Sequence, residues 1–78
     1  MPELDKRTAT ITVDLATGKV LVTMPYKPAA IAELKYQVPG RYRTYNAETK
    51  QWEVSVEYAP HVTRILEAFY ERIQSGFI

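Results

Sequence analysis

From Thr8 to Leu15 the chain alternates strictly, with Ala9, Ile11, Val13 and Leu15 on one side and Thr8, Thr10, Thr12 and Asp14 on the other. A period of two marks a strand with one buried face, and threonine suits the wet one. Ala16-Thr17-Gly18 supplies a turn, glycine being free to adopt a positive φ. Lys19–Met24 reads as a second strand, so this stretch predicts a hairpin. Pro25 and Pro28 end the ladder. Pro28 fits the first turn of a helix over Ala29–Gln37 that turns Ile31, Leu34 and Val38 inward, and Pro39-Gly40 stops it.

A second hairpin is expected from residues 41–45 and 51–56 around Asn46-Ala47-Glu48-Thr49-Lys50, with Asn46 opening an Asx turn. In its closing strand Trp52, Val54 and Val56 share a face opposite Gln51, Glu53, Ser55 and Glu57. The opening strand groups Arg41, Arg43 and Tyr45 against Tyr42 and Thr44, and parity lets either set face inward; a bulge near Arg43 would reconcile them. Val62, Ile65, Leu66, Phe69 and Ile73 then recur at helical spacing after Pro60, which predicts a helix ended by Ser75-Gly76. The expected fold is α+β in the order β-β-α-β-β-α: an antiparallel four-stranded sheet with both helices packed on one face.

Seventy-eight residues make a single domain with one thin core, residues 1–7 being read as a flexible N-terminal segment. Cysteine is absent, which excludes disulfides, thiolate metal sites and a cysteine nucleophile. His61, the one imidazole, has no histidine or cysteine companion and reads as a solvated residue in the first turn of a helix. Glu53 and Glu57 read as a wet strand face opposite Trp52. With no glycine-rich phosphate loop and no nucleophile elbow, the expectation is a protein that is not an enzyme and has no cofactor. No apolar run approaches a membrane span, and the N-terminus has no apolar signal core, so a cytoplasmic location is expected.

Charge changes the picture once it is divided along the chain. The overall balance is only +1, but residues 26–52 carry Lys27, Lys35, Arg41, Arg43 and Lys50 against Glu33 and Glu48. Residues 53–78 carry Glu53, Glu57, Glu67 and Glu71 against Arg64 and Arg72. The basic middle also holds Tyr26, Tyr36, Tyr42, Tyr45 and Trp52. Cations neutralise phosphates and aromatic rings stack on unpaired bases, so this segment is the candidate nucleic-acid-binding region. Its candidate contacts are Lys27, Lys35, Arg41, Arg43 and Lys50 to phosphates, with Tyr36 or Tyr42, which flank the Pro-Gly loop, stacking on a base. Tyr45 and Trp52 read instead as a pair packed across the hairpin, with Trp52 in the core.

The stretch from Lys19 to Ala68 resembles the HARP (HepA-related protein) domain. The resemblance is carried by Tyr26, by Ile31-Ala32-Glu33-Leu34-Lys35, by Tyr45-Asn46-Ala47-Glu48-Thr49-Lys50-Gln51-Trp52, and by Tyr58 with Val62 through Leu66. The hairpin is its specific part; Asn46 stands where the family usually has Asp. In that family the domain accompanies a helicase motor and recognises DNA forks and single-strand/double-strand junctions without activity of its own. The resemblance therefore implies a DNA-binding accessory domain, here a free-standing small phage or bacterial protein, in which Tyr45 and Trp52 anchor the hairpin and Lys50 touches phosphate. The alternative expectation is a protein-interaction module that docks on a host helicase or polymerase through the acidic last helix or an edge strand. A homodimer built by edge-strand pairing or by the Phe77-Ile78 tail is compatible with both.

Overall fold

The expected first hairpin forms: β1 (Thr8–Asp14) and β2 (Lys19–Thr23) pair antiparallel, with Asp14 opposite Lys19. The structure, a computed structural model, describes residues 7–77. The Asp14 carboxylate accepts from the backbone N–H groups of Ala16 and Thr17 at 3.1 and 3.4 Å, and Gly18 takes a φ of 70°. A side chain at Gly18 would meet no neighbour, so the backbone angle alone calls for glycine. Ala9 and Ile11 are buried as the alternation predicts, Val13 is half-buried, and Leu15 lies in the exposed turn.

Helix α1 (Pro28–Gln37) begins on its proline and ends where Val38 turns extended, its N–H reaching the Leu34 carbonyl at 2.9 Å. Leu34 and Val38 enter the core as expected, but Ala30 takes the third inward place and Ile31 is only half-buried. The second hairpin comprises β3 (Arg43–Asn46) and β4 (Gln51–Ser55). Their register is continuous, and it sets Arg43 opposite Val54 and Tyr45 opposite Trp52. No bulge is needed, because Gly40–Tyr42 forms a 3-10 turn and the strand starts two residues later than expected. The Asn46 side chain accepts from the N–H groups of Glu48 and Thr49 at 3.0 and 3.3 Å, the expected Asx turn. Val56 leaves the strand for a second 3-10 turn, Val56–Tyr58.

The C-terminal third departs from expectation. Helix α2 (Ala59–Phe69) buries Val62, Ile65 and Leu66, but Tyr70 turns extended and the helix stops there rather than at Ser75-Gly76. Arg72–Phe77 is instead a fifth strand, β5, running parallel to β1 with Ile73 beside Ala9 and Ser75 beside Ile11. The expected all-antiparallel sheet of four strands is thus a mixed sheet of five, ordered β3-β4-β2-β1-β5. Two forces favour the strand. The Tyr70 hydroxyl donates to the Pro25 carbonyl at 2.5 Å and fixes the exit of α2. The outer edge of β1 would otherwise stay unpaired, and β5 satisfies its backbone groups.

The topology explains why both helices cover one face, as expected. β2 and β4 are antiparallel, and the crossovers β2-α1-β3 and β4-α2-β5 move in opposite directions across the sheet. Reversing both strand direction and travel preserves handedness, so two crossovers of the same hand lay their helices on the same side. Ala9, Ile11, Val20, Val22 and Val54 on that side pack with Leu34, Val38, Val62, Ile65, Leu66 and Tyr70. Of residues 1–7, read as flexible, 1–6 lie outside the described residues; the Arg7 carbonyl accepts the Arg72 N–H at 3.0 Å. No helix among the described residues is long and apolar enough to cross a membrane.

Candidate functional site

The register places Tyr45 and Trp52 side by side on the helix-bearing face, at the turn end of the β3–β4 hairpin. Their ring centroids lie 5.1 Å apart at an interplanar angle of 59°, a tilted pair that packs well while leaving edges open. The start of α1 rises opposite them. Between the two runs a groove of about 840 Å³, walled by Met24, Tyr26, Pro28, Ile31, Tyr45 and Trp52, with Lys35 and Lys50 also lining it. Tyr26 is 81% exposed and Tyr45 49% exposed, whereas Trp52 is half-buried against the core. Among the described residues no carboxylate lines the groove. Neither lysine has an ion-pair partner among the described residues.

Lys50 has a further cost attached to it. Its φ is 58°, the left-handed region where glycine or asparagine is the usual occupant. A long cationic side chain at this position is therefore held at the groove in spite of the backbone.

The remaining expected contacts disperse. Lys27 is part-buried, its ammonium donating to the Phe69 carbonyl at 2.7 Å and lying 5.0 Å from the Tyr70 ring centroid, so it caps α2. Tyr36 is 85% exposed and stands outside this groove. Tyr42, expected to be open to a base, packs 5.2 Å from Tyr58 and 4.9 Å from the Arg41 guanidinium. Arg41 and Arg43 stand at the other end of the hairpin, where they border a smaller, more polar depression of about 290 Å³. Of the seven residues expected to bind nucleic acid, only Lys35 and Lys50 meet in the aromatic groove.

Tyr26, Tyr45 and Trp52 are the members that sequence reasoning left out. The available signal was the cross-strand position of Tyr45 and Trp52, which was read as core packing alone. Two other expectations are also corrected. Glu53 and Glu57 do not share a strand face: Glu53 pairs with Lys19 at 3.5 Å, and Glu57 sits in the 3-10 turn and accepts from Ser55 at 3.4 Å. His61 is half-buried against Tyr58 at 5.4 Å rather than solvated, and its buried Nδ1 has no hydrogen-bond partner among the described residues. Burial also pushes the Tyr70 hydroxyl above its ordinary pKa. The chain matches no protein-family model, no curated protein and no solved structure.

Proposed function

We propose that the chain is a non-enzymatic nucleic-acid-binding module that holds an unpaired base of single-stranded or junction DNA in the aromatic groove. The observation that carries this reading is the convergence of three rings and two lysines in a groove where, among the described residues, no carboxylate lines the wall and neither lysine has an ion-pair partner. A base presents a flat π-face to Tyr26, Tyr45 and Trp52, and stacking is worth about 1–3 kcal/mol per base. Lys35 and Lys50 stand where they can take the flanking phosphates. The HARP resemblance agrees with this reading, since the hairpin that carries it supplies Tyr45, Lys50 and Trp52.

The test is fluorescence anisotropy with labelled single-stranded, duplex and forked DNA at low and physiological salt, alongside Trp52 emission. Binding that quenches Trp52 and weakens with salt is expected. The double variant K35Q/K50Q should lower the salt slope on single strands by about 1.4, at roughly 0.7 per neutralised phosphate. A folded chain that binds none of the three forms refutes the reading, as does a double variant that binds unchanged.

The outer edge of β5 from Ile73 to Phe77 supports a second reading, in which a partner protein adds a strand there. That reading predicts association that survives nuclease treatment. Self-pairing along the same edge would appear as a concentration-dependent sedimentation coefficient.

A further inference from the structure

The polar depression at the far end of the hairpin is independent of the groove. Lys19, Thr44 and Glu53, which share the helix-free face, line it with Arg41 from the turn before β3, while Arg43 borders it from the opposite face, where the register sets it beside Val54. Lys19 and Arg41 stand there with a single carboxylate among the described residues, Glu53, which is engaged by Lys19 at 3.5 Å and by the Asn46 amide at 3.3 Å. Arg43 donates only its Nε, to the Val38 carbonyl at 2.9 Å. This bond turns the Arg43 guanidinium toward the end of α1 on the helix-bearing face, so Arg43 borders the depression without supplying its grip. Arg41 is held too, its guanidinium 4.9 Å from the centre of the Tyr42 ring. One restrained planar guanidinium beside an ammonium forms a grip for a tetrahedral oxyanion, which the fork can meet with paired N–H groups.

We propose that this depression is an oxyanion site that takes a phosphate of the same nucleic-acid strand whose base the groove holds. The inference rests on the groove reading, but its residues are different. Lys19 begins β2, and the groove opens just past the end of that strand. At a rise of about 3.3 Å per residue the two ends of β2 lie about 13 Å apart, a few nucleotides of extended strand. The path between them crosses the outer edge of β3, beyond which no further strand stands among the described residues. Bound this way, a strand enters on the helix-bearing face at the hairpin turn and leaves around the edge at the other end.

The experiment has two arms on the full chain, each comparing wild type with K19Q/R41Q. Neither substitution removes a buried contact, and Arg43, which braces Val38, is left in place. In the first arm inorganic phosphate is titrated and backbone amide shifts are followed by NMR. The expected result is movement at Gly18 and Arg41 through Arg43 in wild type and its loss in the variant. In the second arm labelled oligothymidylates of increasing length are bound. The shortest should fill the groove and bind both proteins equally. Longer ones should gain affinity only with wild type, and the variant's salt slope should be shallower by about 1.4. No phosphate-induced shifts, together with the same length dependence in both proteins, would overturn the proposal and leave the groove reading intact. Phosphate shifts without any quenching of Trp52 by oligonucleotide would remove the groove reading instead, and with it the shared strand, leaving a site for free phosphate.

Discussion

Replacing Lys27 by methionine separates a structural cation from a binding one. The substitution keeps the aliphatic stem and removes the ammonium, which donates to the Phe69 carbonyl at 2.7 Å and lies 5.0 Å from the centre of the Tyr70 ring. A hydrogen bond from a charged donor contributes about 1.5–3 kcal/mol, and partial exposure places this one near the lower end. The cation–π contact adds about 0.5 kcal/mol at such a site. The loss should therefore be about 2 kcal/mol, or a fall in Tm of about 8–16 °C for a domain of this size. In urea, with a slope of about 1 kcal/mol per molar, the midpoint should move down by about 2 M. Lys35→Met is the control, since that side chain is exposed and has no hydrogen-bond partner among the described residues; its stability should change by less than about 0.5 kcal/mol. DNA affinity should show the opposite pattern, preserved in K27M under conditions where it is folded and weakened in K35M. If K27M keeps the wild-type midpoint and loses DNA affinity as K35M does, Lys27 is a phosphate contact and its capping role is wrong.

Three further substitutions test the strained turn, the buried tyrosine and the last strand. Lys50→Gly relieves the φ of 58° and should stabilise the chain by about 0.5 kcal/mol while weakening DNA binding, a divergence visible by pairing urea melts with anisotropy. For Tyr70 the folded-state pKa is raised by burial, so its contribution is complete below the unfolded value near 10 and is lost as pH rises through the raised value. Urea midpoints taken on either side of that pH should fall more for wild type than for Tyr70→Phe, which itself loses about 1 kcal/mol with the bond to Pro25. Gly76→Thr puts a β-favouring residue where a new side chain has open space, and thermal melts should show a gain of about 0.5 kcal/mol; a loss would argue against β5.

The elements that could be read from the chain are those whose determinants are neighbours in it. The alternation over Thr8–Leu15, the Asx turn at Asn46 and the proline at the start of α1 each act within a few residues. Ile73 shows why β5 was missed. It falls at helical spacing from Phe69 and also at the register that lays it beside Ala9. Only the second placement pairs an otherwise open edge, and that partner lies at the opposite end of the chain. The role of Lys27 was hidden in the same way, its acceptor being a carbonyl 42 residues further on. The groove was half legible: Lys35, Lys50 and the aromatic richness of the middle were plain, but bringing Tyr26 to Tyr45 required the β2-α1 link to pass the hairpin turn. Arg41 and Arg43 are close in sequence to Lys50, yet a short antiparallel hairpin puts its start and its turn at opposite ends.

The same topology gathers the surplus bases of the chain at one side of the molecule. Residues 26–52, with three surplus bases, build α1, β3 and the start of β4 at one side of the sheet. The two surplus acids of residues 53–78 are Glu53 and Glu57, on β4 and just beyond it, while α2 and β5, at the opposite edge, balance Arg64 and Arg72 against Glu67 and Glu71. A polyanion approaching from solution is drawn toward the β3 edge, where both candidate sites lie. Glu67, exposed on α2, probes this field without touching either site. With Glu67→Lys the association rate for DNA should rise about twofold at low salt, where the screening length is about 30 Å, and change little at physiological salt, where it is about 8 Å. The dissociation rate should not move, since a charge remote from the bound strand acts on approach and not on the contact. Stopped-flow measurements with labelled single strands give both rates. A slower dissociation in the variant would mean that α2 itself touches the DNA, and the β3 edge would no longer account for the whole of the binding surface.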